Sequence, residues 1–555
     1  MRHNQYMRHA VTLLLFLSGV LALLACSKEP AVDATTAFRK AMENGKSVNE
    51  GLRRCQRYVR AWLALADPKS GLIPRNLQDR YWNAQDTAAD NYPFLVLSTS
   101  FVDRSLFESR MREMLASEIR LTSRVGRLPD TYDFAKGAFL NEEPNLPAIL
   151  FGASEYVKDG LLPITEWLGP SPWCDRMIGI LDDIWKYAPV ETAGGKIVSD
   201  NVEVNGVMLQ VLSRVYWMTG EEKYLDWAVR LGDYYLLGNH HPTRDVAYLR
   251  LRDHGCEIVS GLCELYATVH FARPEKKQAY REPIHTMLDR ILKVGRNKDG
   301  LFFDVVNPQT GAVVKKRLAD NWGYSLNGFY TVYLLDGTKA YRQATLKVLA
   351  SLAGKYRGYK WEYERADGYA DAIEGALNLY NRERVASTAD WIDSEIRVMW
   401  GKQKQDGTID GGHCDGNFAR TTMMYCLWKT GGVSIRPWRE DVVFGSVDLT
   451  GGVNSKSGAD SAGGLLLAIR AEQDWEGTLL FDAPRHRTIM KLPLDWPRIN
   501  QFPEWFTVAP EGRYSIRDAA TGGAERVYSG GDLHAGIPLT LRAAEERHIE
   551  VQRYP

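Results

Sequence analysis

The chain has 555 residues, 45% of them hydrophobic and 25% charged, which places it among globular proteins and gives it the length for two domains. Its 69 basic and 69 acidic side chains cancel. With no basic excess to release counterions from phosphates, no nucleic-acid partner is expected.

At the N-terminus, Arg2, His3, Arg8 and His9 precede an apolar run from Ala10 to Leu24 that ends at Leu23-Leu24-Ala25-Cys26. The run is shorter than the roughly 20 residues of a membrane span, and its basic flank and small residue before the cut fit an export signal. Residues 1–26 resemble a bacterial lipoprotein signal peptide with a lipobox. The resemblance implies an exported protein lipidated on Cys26, tethered to a membrane rather than spanning it. Ser27 after the cysteine points to the outer membrane.

From about residue 30 to 437 the chain repeats one arrangement. An amphipathic helix with a solvated face, such as Glu221 to Gly232, is followed by a glycine turn, a short extended piece, a polar cluster and an apolar helix rich in small residues. The clusters open at Asp90, Asn145, Asp200, Asp253, Asp320, Asp367 and Asp415, 47 to 67 residues apart, about two helices and two connections. Turn glycines stand at Gly71, Gly126, Gly300 and Gly407. The irregular period and the absence of a solvated face on the cluster-headed helices favour a closed (α/α) toroid of six to seven hairpins over an open solenoid. After Trp438 the pattern becomes short β-prone runs: Gly464 to Ile469, Gly477 to Phe481, Arg487 to Leu492 and His548 to Val551. Residues 438–555 therefore read as a β-sandwich, with no cluster of catalytic candidates, expected to pack on the toroid and to lend a loop either to the pocket rim or to a neighbouring subunit.

A toroid aims the polar heads of its inner helices at one pocket, where free N–H groups suit sugar hydroxyls and anions. An Asp at a helix start is first of all an N-cap, and Asp200 with Glu203, or Asp371 with Glu374, has an acidic capping-box spacing. Capping does not explain the company these acids keep. Arg252 and His254 flank Asp253, Trp322 and Tyr324 follow Asp320, and His413, Asp415, Asn417 and Arg420 crowd the last cluster. A glycosidase needs a protonated carboxyl and a second carboxylate. Glu257, one turn beyond Asp253, is expected deeper in the wall, where burial raises its pKa toward that of a general acid. Asp415, Asp200 and Glu203 are the candidates for the second carboxylate. Arg252, His254, Asp320, Trp322, Tyr324, His413, Asn417 and Arg420 are the substrate-binding candidates, with Arg252 or Arg420 able to grip a uronate carboxylate. Cys256 and Cys414 beside His254, His413 and Glu257 lack a zinc-site spacing, so no metal or other cofactor is expected.

The run His413-Cys414-Asp415-Gly416-Asn417-Phe418-Ala419-Arg420-Thr421, with Leu427-Trp428-Lys429-Thr430 and Arg436-Pro437-Trp438-Arg439 after it, resembles glycoside hydrolase family 154 within the six-hairpin glycosidase superfamily. The resemblance implies an exo-acting β-glucuronidase working on an oligo- or polysaccharide. Two alternatives stand beside it. A heparinase-type polysaccharide lyase would use Tyr324, His254 or His413 as base, and a surface lipoprotein could capture glycans without cleaving them. The density of acids at one rim favours an enzyme.

Overall fold

The computed structural model describes residues 34–409, 416–449, 463–520 and 522–555. The signal segment with Cys26, and His413, Cys414 and Asp415 of the last cluster, lie outside the described residues.

Fourteen helices pair into seven hairpins that close into an (α/α) toroid. The inner helices run at 84–102, 146–168, 202–219, 257–272, 322–336, 366–382 and 417–430, and the first and last touch to shut the ring. Their burial follows their composition. Glu257–Ala272 hides every residue from Glu257 to Val269, whereas outer helix Glu222–Gly232 buries only Tyr224, Leu225, Ala228, Val229, Leu231 and Gly232. Small residues let the inner helices approach. A Cβ on Gly323 would stand 2.3 Å from the Cα of Gly375 on the next inner helix, so neither position takes a side chain without moving backbone. Gly71, Gly126, Gly300 and Gly407 all adopt the positive φ their turns need.

The helix starts depart from the sequence expectation at three clusters. The first inner helix begins at Ala84, capped by Asn83, as a π-helical segment Ala84–Asn91 that leaves Asp90 inside the helix. Asn201, not Asp200, caps Val202–Thr219 by accepting from the Glu203 N–H at 2.8 Å. Asp371 and Glu374 sit within Ala366–Arg382, so neither caps it.

The C-terminal part is two antiparallel sheets. One runs in the order Val442–Asp448, Gly464–Ala471, Glu546–Tyr554, Arg513–Asp518 and Arg526–Ser529, and the other in the order Ile537–Leu541, Trp475–Leu480 and Ser434–Arg436. Phe444, Leu465, Leu467 and Ile469 from the first pack against Leu479, Ile537 and Leu541 from the second, with Val48, Leu52 and Val102 of the toroid in the same cluster. Arg487 to Leu492 is not a strand. A short helix Arg485–Thr488 forms there, and the N–H groups of Met490 and Leu492 are satisfied locally by the Arg485 and His486 carbonyls. The chain then runs without regular structure through Phe506, burying Met490, Trp496, Arg498, Ile499 and Phe502 against the toroid.

Candidate active site

Six inner helices and the loops ahead of them surround a cavity of about 270 Å³. Among the described residues its lining has nine acidic side chains (Asp86, Asp90, Glu155, Asp159, Asp253, Glu257, Glu362, Asp367 and Asp371) against four basic ones (Arg75, Lys158, His254 and Arg420), a strongly acidic set. Such crowding is compatible with burial only if some carboxyls stay protonated and others are paired.

Both happen. Lys158, buried in the inner helix 146–168, is the paired centre: its Nζ lies 2.7 Å from Asp159 and 2.9 Å from Glu257. Burial opposes its charge, but Asp159, Glu257 and Glu155 hold its pKa well above the usual lysine value. The other oxygen of Glu257 accepts from Gln210, so both of its oxygens are engaged. Burial still raises the pKa of Glu257, with Lys158 pulling the other way. Glu155 is different. Burial, and next the charge of Asp159, push its pKa well above the carboxylate range, and its buried Oε1 has no hydrogen-bond partner among the described residues.

The segment Tyr156–Leu161 that carries Lys158 and Asp159 is π-helical and packs on the π-helical Ala84–Asn91 that carries Asp86 and Asp90. Single π turns inside α-helices frequently mark functional sites. The pKa of Asp90 is likewise raised, by burial first and by Asp159 and Asp367 next. Gly416 makes room for this wall, because a Cβ there would lie 1.9 Å from the Asp90 carbonyl oxygen.

On one side of the cavity His254, at φ 60°, links three acids. Its Nδ1 faces Glu203 and lies 4.0 Å from Glu155, while Nε2 is 3.1 Å from Asp253. Burial lowers its basicity, but Glu203, Asp253 and Glu155 outweigh that and raise its pKa to about 11. Glu155, Glu203 and His254 bring one ligand atom each within 4.8 Å of one another, the spacing a metal ion would need. A protonated His254 balances the two carboxyls as a cation in its own right. Cys256, which the sequence places beside these groups, is a buried cysteine packed with Tyr324 and Ile499.

On the opposite side Arg420 binds Asp371 at 2.7 Å, Glu374 at 2.9 Å and Asn417 at 2.8 Å. The Tyr324 hydroxyl lies 2.8 Å from both Asp371 and Glu374, and burial raises its pKa further above 10, which disfavours Tyr324 as a base. At the rim Arg252 joins Glu362 at 2.8 Å and Asp320 at 3.3 Å. Burial, then Asp367 and Asp320, raises Glu362 to about 8, and burial raises Asp320 to about 6 against the pull of Arg252.

Of the residues singled out in the sequence, Glu257, His254, Tyr324, Asn417 and Arg420 line this cavity. Asp200 and Glu203 line a second cavity on the far side of His254, and Arg252 and Asp320 form an ion pair outside the lining of the first. Trp322 is fully buried and presents no face to sugar, because it opens a helix whose first eleven residues are all core. Residues away from the cluster heads are as prominent. Glu155, Lys158 and Asp159 lie ten or more residues past their cluster head, and the available signal was three charges in the otherwise apolar run Ile149 to Leu162.

Asn500, from the segment after the short C-terminal helix, lies beneath the cavity at φ 59°. Its Nδ2 donates to Asp159 at 2.5 Å, its Oδ1 accepts from Arg420 at 2.9 Å, and its backbone N–H donates to Glu374 at 2.6 Å. The β-region thus braces cavity-lining residues from behind.

No family model matches the chain, and no curated protein matches it. Among solved structures it is similar to an inactive variant of GH76A, an α-1,6-mannanase of Salegentibacter sp., in complex with α-1,6-mannotetrose, at 9% identity and a TM-score of 0.39 over 68% of this chain and 98% of that one. It is also similar to a GH127 β-arabinofuranosidase, at 12% identity and a TM-score of 0.37 over 93% and 76% of the two chains. A cellobiose 2-epimerase from Bacillus thermoamylovorans overlaps at 11% identity and a TM-score of 0.37 over 68% and 98%. Overlap at this depth assigns the chain neither family nor substrate.

Proposed function

We propose that the protein is a glycoside hydrolase that takes the terminal sugar of a glycan into the acidic cavity. The observation that carries this reading is Glu155: a buried carboxyl with a raised pKa and an unengaged oxygen, one helical turn from the Asp159 carboxylate. Hydrolysis of a glycosidic bond asks for this division of labour. A protonated carboxyl donates to the leaving oxygen, and a second carboxylate attacks the anomeric carbon or activates water. Glu155 takes the first role and Asp159, held by Lys158 and Asn500, the second. Glu257, the acid expected from sequence, has both oxygens committed and serves in this account to keep Lys158 in place.

The finer reading, a β-glucuronide substrate, rests on the sequence motifs around Asn417 and Arg420. The geometry favours a second, a neutral terminal sugar, because the guanidiniums of Arg420 and Arg252 are already paired with Asp371 and Glu374, and with Asp320 and Glu362. A panel of p-nitrophenyl glycosides separates them. Release from the β-glucuronide alone supports the uronide, and release from a neutral glycoside supports the second reading. No release from any, with new ultraviolet absorbance on uronate polysaccharides, overturns hydrolysis in favour of elimination. Anchoring through Cys26 at the outer membrane is part of the same proposal, supported by the N-terminal sequence. Among the described residues no helix is long and apolar enough to cross a membrane. Incorporation of labelled fatty acid, lost in Cys26→Ala, tests the anchor.

A further inference from the structure

A second cavity, of about 330 Å³, adjoins the acidic one, and among the described residues His254 alone lines both. The wall between them is polar: His254 meets Glu203 on the second side, and Arg250 on that side pairs with Asp253 of the first at 3.2 Å. The character of the second cavity is otherwise unlike the first. Tyr234 stacks on His240 with ring centroids 3.7 Å apart and 15° between planes, and Tyr248 stands 55% exposed, far more than a packing tyrosine would be. Asp200, Asn201, Asn239 and Arg250 place hydrogen-bonding groups around these faces.

We propose that this second cavity is the leaving-group subsite, which holds the sugar ring or aryl group on the far side of the scissile bond. The inference rests on the hydrolase reading and adds to it the direction in which the substrate runs. Three features argue for it. The carboxyl that would protonate the leaving group is that of Glu155, which lines the acidic cavity with its Oε2 4.0 Å from Nδ1 of His254, the residue the two cavities share. A donor must stand beside the group it expels. Flat exposed aromatic faces suit the C–H face of a pyranose or the ring of an aryl aglycone, and flanking amide and guanidinium groups suit hydroxyls. The volume is that of a small-ligand pocket, and it shares His254 with the cavity where the bond is cut. The occupant assigned here is a neutral sugar residue, since Asp200, Glu203 and Asp245 on the lining outnumber Arg250.

The test compares two substrates with one sugar and different leaving groups. A glycosyl fluoride fills only the acidic cavity, whereas the p-nitrophenyl glycoside of the same sugar reaches the second. In Tyr248→Ala and Tyr234→Ala, KM for the p-nitrophenyl glycoside should rise about tenfold, the worth of roughly one aromatic contact, while KM for the fluoride stays at its wild-type value. Tyr248→Phe, which keeps the ring, should behave as wild type on both. Equal losses on both substrates, or no loss on either, overturn the subsite and leave the hydrolase reading standing. Failure of the wild type to turn over either substrate overturns the hydrolase reading, and the leaving-group subsite falls with it.

Discussion

The helical ring and the irregular segment from Arg485 to Phe506 meet at the same cavity, and they bring polar groups there by opposite means. The ring repeats a rule: an apolar helix, buried on most sides, carries its charges at one end or inside a π turn, so six helices aim polar groups, acids on four of them, at a common point. The segment follows no repeat, and a buried chain without secondary structure ordinarily strands its own backbone groups. Here the ring satisfies them. Asn378 donates to the Arg498 carbonyl at 3.2 Å, Asn381 to that of Glu504 at 2.8 Å and Arg214 to that of Ile499 at 3.1 Å. The buried polar residues of the inner helices therefore divide into two sets, one that lines the cavity and one that receives the segment beneath it. A polar side chain on an apolar helix is not by itself a sign of chemistry.

The largest effect that would sharpen this division belongs to the first set. Replacing Glu155 by Gln removes the proton donor and keeps the shape, and turnover should fall about 100- to 10,000-fold with unfolding midpoints unchanged. Asn381→Ala, from the second set, should leave the rate intact.

Arg498→Ala attacks the other region. Arg498 is wholly buried, 2.8 Å from Glu166 and 2.9 Å from Asp495. Its loss leaves Glu166 buried without its partner, a cost of about 3–5 kcal/mol. Denaturant unfolding measures it, and a loss within about 0.5 kcal/mol would show that the segment is a passive surface tail.

Asn500→Ala sits where the two regions join. With Asp159 and Arg420 each losing a hydrogen bond, kcat should drop roughly tenfold to a hundredfold, with KM little changed and a stability loss of about 1–3 kcal/mol. An unchanged kcat would confine the segment to a structural role.

The smallest effect concerns the rim. Glu362 is raised from 4.5 to about 8 in the folded protein. Between those values the unfolded carboxyl has released its proton and the folded one has not, so the folded state loses stability as pH rises through that window. Glu362→Gln should match wild type below pH 4.5 and be the more stable of the two above pH 8, as thermal scans at both ends would show. His254 slopes in the same direction, but here the form the fold favours is the charged one. Raised from 6.5 to about 11, it contributes stability that is complete below 6.5 and lost as pH climbs through 11.

This contrast also explains what could be read from the sequence. The ring was legible because each repeat carries a periodic signal, and Glu257, His254, Tyr324, Asn417 and Arg420 were legible because they stand at helix heads, where the repeat points. Glu155 and Asp159 were not, since they stand midway along a helix rather than at its head, and their one mark is the charged trio with Lys158 in an apolar run. Asn500 was invisible for a different reason. Its partners Asp159, Glu374 and Arg420 are 341, 126 and 80 residues away in sequence, and the β-prone run Arg487 to Leu492 that leads to it looked like one more strand.

The central claim is that Glu155 protonates a leaving group at the border of the two cavities. It is tested most directly by comparing Glu155→Gln with wild type on an alkyl glycoside, whose leaving oxygen needs a proton, and on the 2,4-dinitrophenyl glycoside of the same sugar, whose leaving group departs without one. The account predicts a loss of about 100-fold or more on the alkyl glycoside and near-normal cleavage of the activated one. Equal losses on the two substrates, or undiminished cleavage of the alkyl glycoside, would contradict it.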